Sequence, residues 1–374
     1  MSLKLKNIVI VGFTHKIGGG GGNLHIDKLI SFWESSGNRV TLLDPGRIKE
    51  FTLKSVLIST FHSILFKIET IQEENTIDII VSESPYPPDV ILAFRLSRKY
   101  LKPMTIYFHH ITPNITIFPF RRGIFRVLIN VLYTSIILYI VKKFRIPIFL
   151  DNPKTIKSTE ISVFPDLDAI TDRGLNFAPF ETRSEFDYDI CYIGRIENHK
   201  GLEDIIKVAR ILKNIDSMNF KIILAGKGKG KYINKINKMI ERFKLSENIT
   251  LSGYVSEDKK FELLRRSRIF LFLSYEEGWS ISVMEAASVG TPIVAYSLPA
   301  YYYLRGNYFS VPLGDIRACA EKLKQVLSDS KLSNNKAIKA KKCVEVFSYA
   351  FIAKQQLLFY SKIAKDFLDN NKRV

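Results

Sequence analysis

The stretch Arg268-Ile-Phe-Leu-Phe-Leu-Ser274, followed closely by Glu277-Gly-Trp-Ser-Ile-Ser-Val-Met-Glu285, decides how this chain is read. The first part is a short continuous apolar run, as in a strand buried on both faces. The second opens a helix with a carboxylate on either side of its start. A helix N-terminus leaves backbone N–H groups unpaired and offers them to an anion. Glu277 and Glu285 could then accept hydrogen bonds from hydroxyls at two ends of one ligand. A sugar nucleotide has that form, with phosphate at the helix start and sugar and ribose at the carboxylates. A glutamate in a first helical turn is also an ordinary partner of the helix dipole, so the pair gains weight from its neighbours.

Outward from this stretch, apolar strand-like runs alternate with helix-length amphipathic segments, which predicts parallel sheets covered by helices. One series of strands runs through Asn7 to Val11, Arg39 to Leu43, Ile77 to Val81, Met104 to Phe108 and Ile146 to Leu150. A second restarts at Tyr188 to Ile193 and continues with Phe220 to Ala225, Ile249 to Ser252, Ile269 to Leu273 and Pro292 to Tyr296. The predicted fold class is α/β, with two Rossmann-like doubly wound parallel-sheet domains. Residues 1–178 form the first domain and 179–346 the second, with 347–374 a long helix expected to pack back on the first.

The composition fits folded domains: 374 residues, 46% hydrophobic and 25% charged. Cys191, Cys319 and Cys343 are scattered without ligand spacing, which argues against a disulfide framework and a zinc site. No signal-type apolar run precedes the strand at Lys6-Asn-Ile-Val-Ile-Val-Gly12, so a cytoplasmic location is expected. A formal charge of +18 calls for acidic partners. Nucleic acid is not expected, since the basic residues are spread over many helices and no nucleic-acid-binding signature is present. Anionic lipid and phosphorylated substrates remain.

Residues 121–145 bear on the lipid alternative. The apolar core Val127 to Val141 contains Asn130, Thr134 and Ser135 and falls short of the about 20 residues a spanning helix needs. Arg121, Arg122 and Arg126 precede it, and Lys142, Lys143 and Arg145 follow. Two readings stand: a buried helix, or a helix at the surface of an anionic membrane.

Two loops carry further chemistry. Ile17-Gly-Gly-Gly-Gly-Gly-Asn23 lies between the first strand and a helix expected near Leu24, and its bare backbone lets phosphate or sugar approach closely. It is neither a Walker loop nor a complete dinucleotide fingerprint. Gly194-Arg-Ile-Glu-Asn-His-Lys-Gly201 opens the first helix of the second series. Cations at a helix N-terminus oppose its dipole, so Arg195 and Lys200 there point to an anion between them, such as a diphosphate.

Gly194-Arg195 with Lys200-Gly201, the strand Ile222 to Gly226, Leu251-Ser-Gly-Tyr-Val255, and Glu277-Gly278 to Glu285-Ala286 followed by Gly290-Thr-Pro-Ile-Val-Ala295 resemble the retaining family 4 glycosyltransferases. Their order and spacing match over the whole second half. The first half matches more weakly, through the glycine loop, Gly37-Asn-Arg-Val40 and the strand ending at His109-His110, and Phe347-Ser348-Tyr349 resembles the start of the closing helix.

The resemblance implies a GT-B fold, two Rossmann-like domains facing a cleft, and transfer of a hexose from a UDP- or GDP-sugar to a lipid-linked or glycan acceptor with retention. It implies that Arg195 and Lys200 hold the donor diphosphate, Glu277 the sugar hydroxyls and Glu285 the ribose. Gly278, Trp279 and Ser280, with Ile281 and Ser282 at the helix start, would meet the donor, Tyr254 and Val255 the base, and Gly20, Gly21 and Gly22 donor phosphate and acceptor. His110, or else His109, would contact the donor sugar; adjacent strand residues alternate in direction, so one of the two faces the site. No cofactor is expected beyond the nucleoside-diphosphate sugar as co-substrate. Departures from the family pattern are Ser280, where many members carry glycine, and Leu298-Pro299-Ala300 in place of a usual Gly-Gly pair.

Charge growing on the departing phosphate is met by Arg195, Lys200 and the helix start near Ser282, which makes a metal optional. Asp166-Leu-Asp168 and Asp187-Tyr-Asp189 do not fit a metal-holding pair: one follows Pro165 in a turn context, the other runs into a strand. A dehydrogenase would need a complete glycine fingerprint. A catalytically silent homologue that acts as a binding protein is the alternative, and the presence of Arg195, Lys200, Glu277 and Glu285 speaks against it. On the sequence, Glu277→Ala is expected to lose transfer while folding stays nearly intact.

Overall fold

The computed structural model describes residues 5–12, 21–43, 53–66, 77–108, 124–150, 186–216, 219–277 and 280–371. The chain divides into two units, Met1–Gly174 together with Phe347–Val374, and Leu175–Val346.

In the first unit the order is β1 (Asn7–Val11), α1 (Gly21–Ser35), β2 (Arg39–Leu43), α2 (Leu53–Leu65), β3 (Ile79–Ser82), α3 (Pro87–Tyr100), β4 (Met104–Phe108), α4 (Ile124–Phe144) and β5 (Ile148–Leu150). The strands form one parallel sheet in the order β2-β1-β3-β4-β5. Their short apolar runs are what a sheet covered on both faces requires. Val9, Val11, Ile80 and Ile106 meet Leu92 and Leu96 of α3 in a common core. Pro87 opens α3 with its φ already helical, and Arg98 and Lys99 sit in its last turn, where the dipole favours cations.

The second half of α4 bears on both readings of residues 121–145. Thr134, Ile137 and Val141 recur at helical spacing and are buried, the last two in the unit's core. Ile136 and Tyr139 on the other side are exposed. This half is a core helix with an exposed, partly apolar outer face, and among the described residues no helix is long and apolar enough to cross a membrane. Residues 121–123 lie outside the described ones.

The second unit runs β6 (Tyr188–Ile193), a 3₁₀ turn (Asn198–Lys200), α5 (Leu202–Asp216), β7 (Ile222–Ala225), α6 (Gly230–Arg242), β8 (Ile249–Gly253), α7 (Glu257–Arg265), β9 (Ser267–Phe272), α8 (Ile281–Ser288) and β10 (Ile293–Tyr296). A 3₁₀ turn (Pro299–Leu304), β11 (Phe309–Val311), α9 (Ile316–Ser328) and α10 (Ser330–Val344) follow. The six strands are parallel in the order β11-β10-β9-β6-β7-β8. Tyr192, Phe270 and Phe272 stack in its centre, and full burial of each aromatic contributes about 1.5–3 kcal/mol. Asp315 and Asp329 cap α9 and α10 by accepting from the amides of Ala318 and Leu332, a device worth about 1 kcal/mol each.

The last helix, α11 (Tyr349–Asn371), belongs to the first unit, although it follows the second in the chain. Trp33 of α1, fully buried, donates its indole N–H to the Ala353 carbonyl at 3.1 Å and meets Tyr360 edge to face. A buried indole needs such a partner.

Candidate functional site

In open parallel sheets ligands meet the carboxyl ends of the strands, and in the second unit those ends are laced together. Gly194 N donates to the Ala225 carbonyl at 3.0 Å, Ile196 N to that of Lys227 at 2.7 Å, and Gly226 N to that of Gly253 at 2.7 Å. The glycines are needed for this close approach. A Cβ on Gly226 would lie 1.7 Å from the Gly194 carbonyl oxygen, and one on Gly201 1.8 Å from that of Leu273. Gly201 also has φ +74°, a left-handed backbone that glycine adopts without cost.

The turn holding Lys200 is tied to the loop after β9, since Tyr275 N donates to the His199 carbonyl at 2.9 Å. That tie brings Lys200 Nζ to 2.5 Å from Glu277 Oε1, with side-chain exposures of 10% and 8%. Lys200 Nζ also stands over the Phe272 ring. Removing Glu277 would leave a buried ammonium without its carboxylate, so Glu277→Ala is not the fold-neutral substitution expected from sequence. Arg195 is more open, and pairs with Glu197 at 3.1 Å. Its carbonyl accepts the Tyr192 hydroxyl at 2.7 Å.

Three buried tyrosines feel the negative charge of Glu277. Burial first, then the negative charge of Glu277, holds the phenols of Tyr192, Tyr301 and Tyr303 well above their usual range. They are therefore neutral hydrogen-bond donors at any physiological pH. Tyr303 donates to the Ser280 carbonyl at 3.3 Å.

Glu285 is buried in α8 and pairs with Lys260 of α7 at 2.5 Å; Lys260 also pairs with Glu257. Burial presses the Lys260 ammonium toward neutrality, but the two carboxylates more than offset it and its pKa is raised. Tyr254 is exposed, with Lys227 Nζ 4.3 Å from its ring centroid, and Val255 beside it is half-buried. Ser280 precedes α8, and Ile281 and Ser282 form its first turn. Gly21 and Gly22 begin α1, three residues before the expected Leu24. Gly20, His109, His110, Gly278 and Trp279 lie outside the described residues.

The structure thus joins Lys200 to Glu277 and sets Arg195 by its backbone beside the same strand ends, while Glu285 has its own cation. Lys260 and the tyrosines near Glu277 were not found from sequence, because they come from elements distant in the chain. Lys227 had a signal, the alternation Gly226-Lys-Gly-Lys-Gly-Lys231 between strand and helix. Asp187 and Asp189 are occupied by Arg266 and Arg268, and Asp166 and Asp168 lie outside the described residues. A recess of about 440 Å³ opens between α6 and β8, lined by Ile196, Gly226, Ile240, Leu251 and Gly253. None of Arg195, Lys200, Glu277 and Glu285 lines it, while Ile196, Gly226 and Gly253 belong to the strand ends described above.

Residues 177–343 match the family described as Glycosyl transferases group 1. The chain is 24% identical over 196 residues to N-acetyl-alpha-D-glucosaminyl L-malate synthase of Bacillus anthracis, a match over 51% of this chain and 49% of that protein. It therefore spans about half the length of that relative. Among solved structures, sucrose-phosphate synthase from Thermosynechococcus elongatus superposes with TM-score 0.75 at 14% identity, covering 96% of this chain and 99% of the other. Anabaena Alr3699/HepE in complex with UDP and glucose gives TM-score 0.69 at 13% identity, covering 96% and 100%. At such identities these likenesses speak for the fold, a two-domain Rossmann-like GT-B architecture.

Proposed function

From the match of residues 177–343 to the glycosyl transferases group 1 family, we propose that this chain moves a hexose from a UDP- or GDP-sugar to a lipid-linked or glycan acceptor, with retention and without a metal. The observation that carries the reading is the buried Lys200–Glu277 pair at the carboxyl ends of β6 and β9. An ammonium has three N–H donors. Lys200 can keep Glu277 and still give a donor to the diphosphate. Arg195, whose present partner Glu197 is half-exposed, can turn to the same phosphates.

In this reading Lys200, Arg195 and the first amides of α8 stabilise the charge that grows on the leaving diphosphate. Glu277 accepts hydrogen bonds from sugar hydroxyls, and Glu285, steadied by Lys260, from the ribose. Tyr254 under Lys227 lies on the base side. No carboxylate nucleophile is invoked, unlike a retaining glycosidase. The departing phosphate takes the acceptor's proton as the acceptor attacks from its side.

The test is thermal unfolding against a panel of UDP, GDP and their glucose, galactose, N-acetylglucosamine and mannose derivatives. A ligand at a hundredfold excess over its dissociation constant adds about 2.7 kcal/mol. A stability gain with one nucleotide series, together with release of nucleoside diphosphate in a single turnover, is expected. Indifference to the whole panel would remove the proposal. The exposed outer face of α4 is tested separately by flotation with anionic vesicles, and absence of co-migration at low salt would leave it as a solvated surface.

A further inference from the structure

We infer that Ser280 is a specificity-determining residue whose side-chain hydroxyl, with that of Tyr301, hydrogen-bonds the group being transferred. The inference rests on the donor reading above and adds two side chains to it.

Ser280 sits at φ +59°, ψ 80°, a backbone that glycine adopts freely and that strains serine. Serine before a helix ordinarily justifies itself by capping. Ser256 does so at the start of α7, accepting the Lys259 amide at 3.3 Å. Ser280 makes no such bond to α8. Its Oγ is buried, the residue being 6% exposed, and has no hydrogen-bond partner among the described residues. Glycine would remove both the strain and the unsatisfied hydroxyl. A hydroxyl kept at two costs needs a partner in another state of the protein.

The surroundings identify the partner's chemistry. The Ser280 carbonyl is held by Tyr303, and Tyr301, in the same 3₁₀ turn, is 1% exposed with its own hydroxyl unpartnered among the described residues. After burial, the charge of Glu277 is the largest influence on the Tyr301 phenol. A carboxylate only accepts hydrogen bonds when ionised, whereas serine and tyrosine hydroxyls both donate and accept. A sugar hydroxyl fits such a set, since it can donate to Glu277 while accepting from Ser280 or Tyr301. A site built this way discriminates against donors that lack or misplace that hydroxyl.

The test measures dissociation constants of UDP, GDP, UDP-glucose, UDP-galactose, UDP-N-acetylglucosamine and GDP-mannose for the wild type, Ser280→Gly and Ser280→Ala. The affinity of each variant for bare UDP or GDP serves as its own reference. The added affinity from the preferred sugar should shrink about tenfold in both, and the spread among donors should narrow. Ser280→Ala keeps the strained backbone and loses the hydroxyl alone. If it retains wild-type discrimination, or if Ser280→Gly does, the inference is overturned. A wild type that binds none of the six ligands removes the donor reading and this inference together, and that outcome is seen before any variant is compared.

Discussion

Lys200 Nζ and Glu277 Oε1 lie 2.5 Å apart, with each side chain about nine-tenths buried, although the residues come from loops after different strands. Breaking one partner of a buried pair leaves the other charge without compensation, which costs about 3–5 kcal/mol. Glu277→Ala and Lys200→Met are each expected to lower stability by that order in urea unfolding. The double variant Lys200→Met/Glu277→Leu should recover most of the loss, because two uncharged side chains fill the space. Additive losses in the double variant would show that the two charges do not depend on each other.

Gly201 tests the backbone that carries Lys200. Its left-handed φ and a Cβ position 1.8 Å from the Leu273 carbonyl oxygen leave no room for a side chain. Gly201→Ala is expected to cost about 4 kcal/mol or more, as clashes with backbone do. Gly230, at the start of α6, has nothing within 4 Å of its Cβ position. Gly230→Ala should instead stabilise by about 0.5–1 kcal/mol. Equal effects at the two positions would contradict this packing.

Lys260 gives stability a high-pH limit. Its folded-state pKa is raised above the ordinary 10.5 by Glu285 and Glu257, which together outweigh its burial. A raised lysine contributes fully below its unfolded pKa and loses that contribution as pH rises through the folded value. Lys260→Met should therefore be less stable than wild type at pH 8, with the gap narrowing above about pH 10.5. A constant gap from pH 8 to 11.5 would mean that the ammonium is not the source.

The three cysteines should differ sharply toward a chromogenic disulfide reagent. Cys191 and Cys319 are buried, and Cys343 is half-buried. Burial, reinforced by Asp204 and Asp315, pushes the Cys319 thiol up to about 12, so little thiolate is present at neutral pH. Native protein is expected to react quickly at Cys343 alone, and at all three after unfolding. A second fast thiol in the native state would place Cys191 or Cys319 nearer the surface.

Much of the fold was legible because burial leaves local marks. The run Arg268 to Ser274 falls on β9 with its ends displaced slightly, to Ser267 and Phe272. The start of α1 at Gly21 was not legible, since glycine disfavours helix by about 1 kcal/mol and local propensity alone points to Leu24. Of the candidate site, the residue types at the strand ends could be read. The carboxylate that Lys200 engages could not, nor could the role of Lys260, which approaches Glu285 across two helices. The left-handed backbone of Ser280 was hidden for the same reason: serine is common before helices, and its letter does not reveal whether it caps.

Sequence alone determined the alternation of buried strands and covering helices, the glycines at the strand ends and the presence of cations and carboxylates beside them. Each of these follows from periodicity or residue type within a few neighbours. The tertiary structure decided which charge meets which, as in Lys200 with Glu277 and Lys260 with Glu285, and which hydroxyls stay buried without a partner. Those outcomes depend on distances through space and on exclusion of water, and both exist only once the strands have brought distant loops to one edge of the sheet.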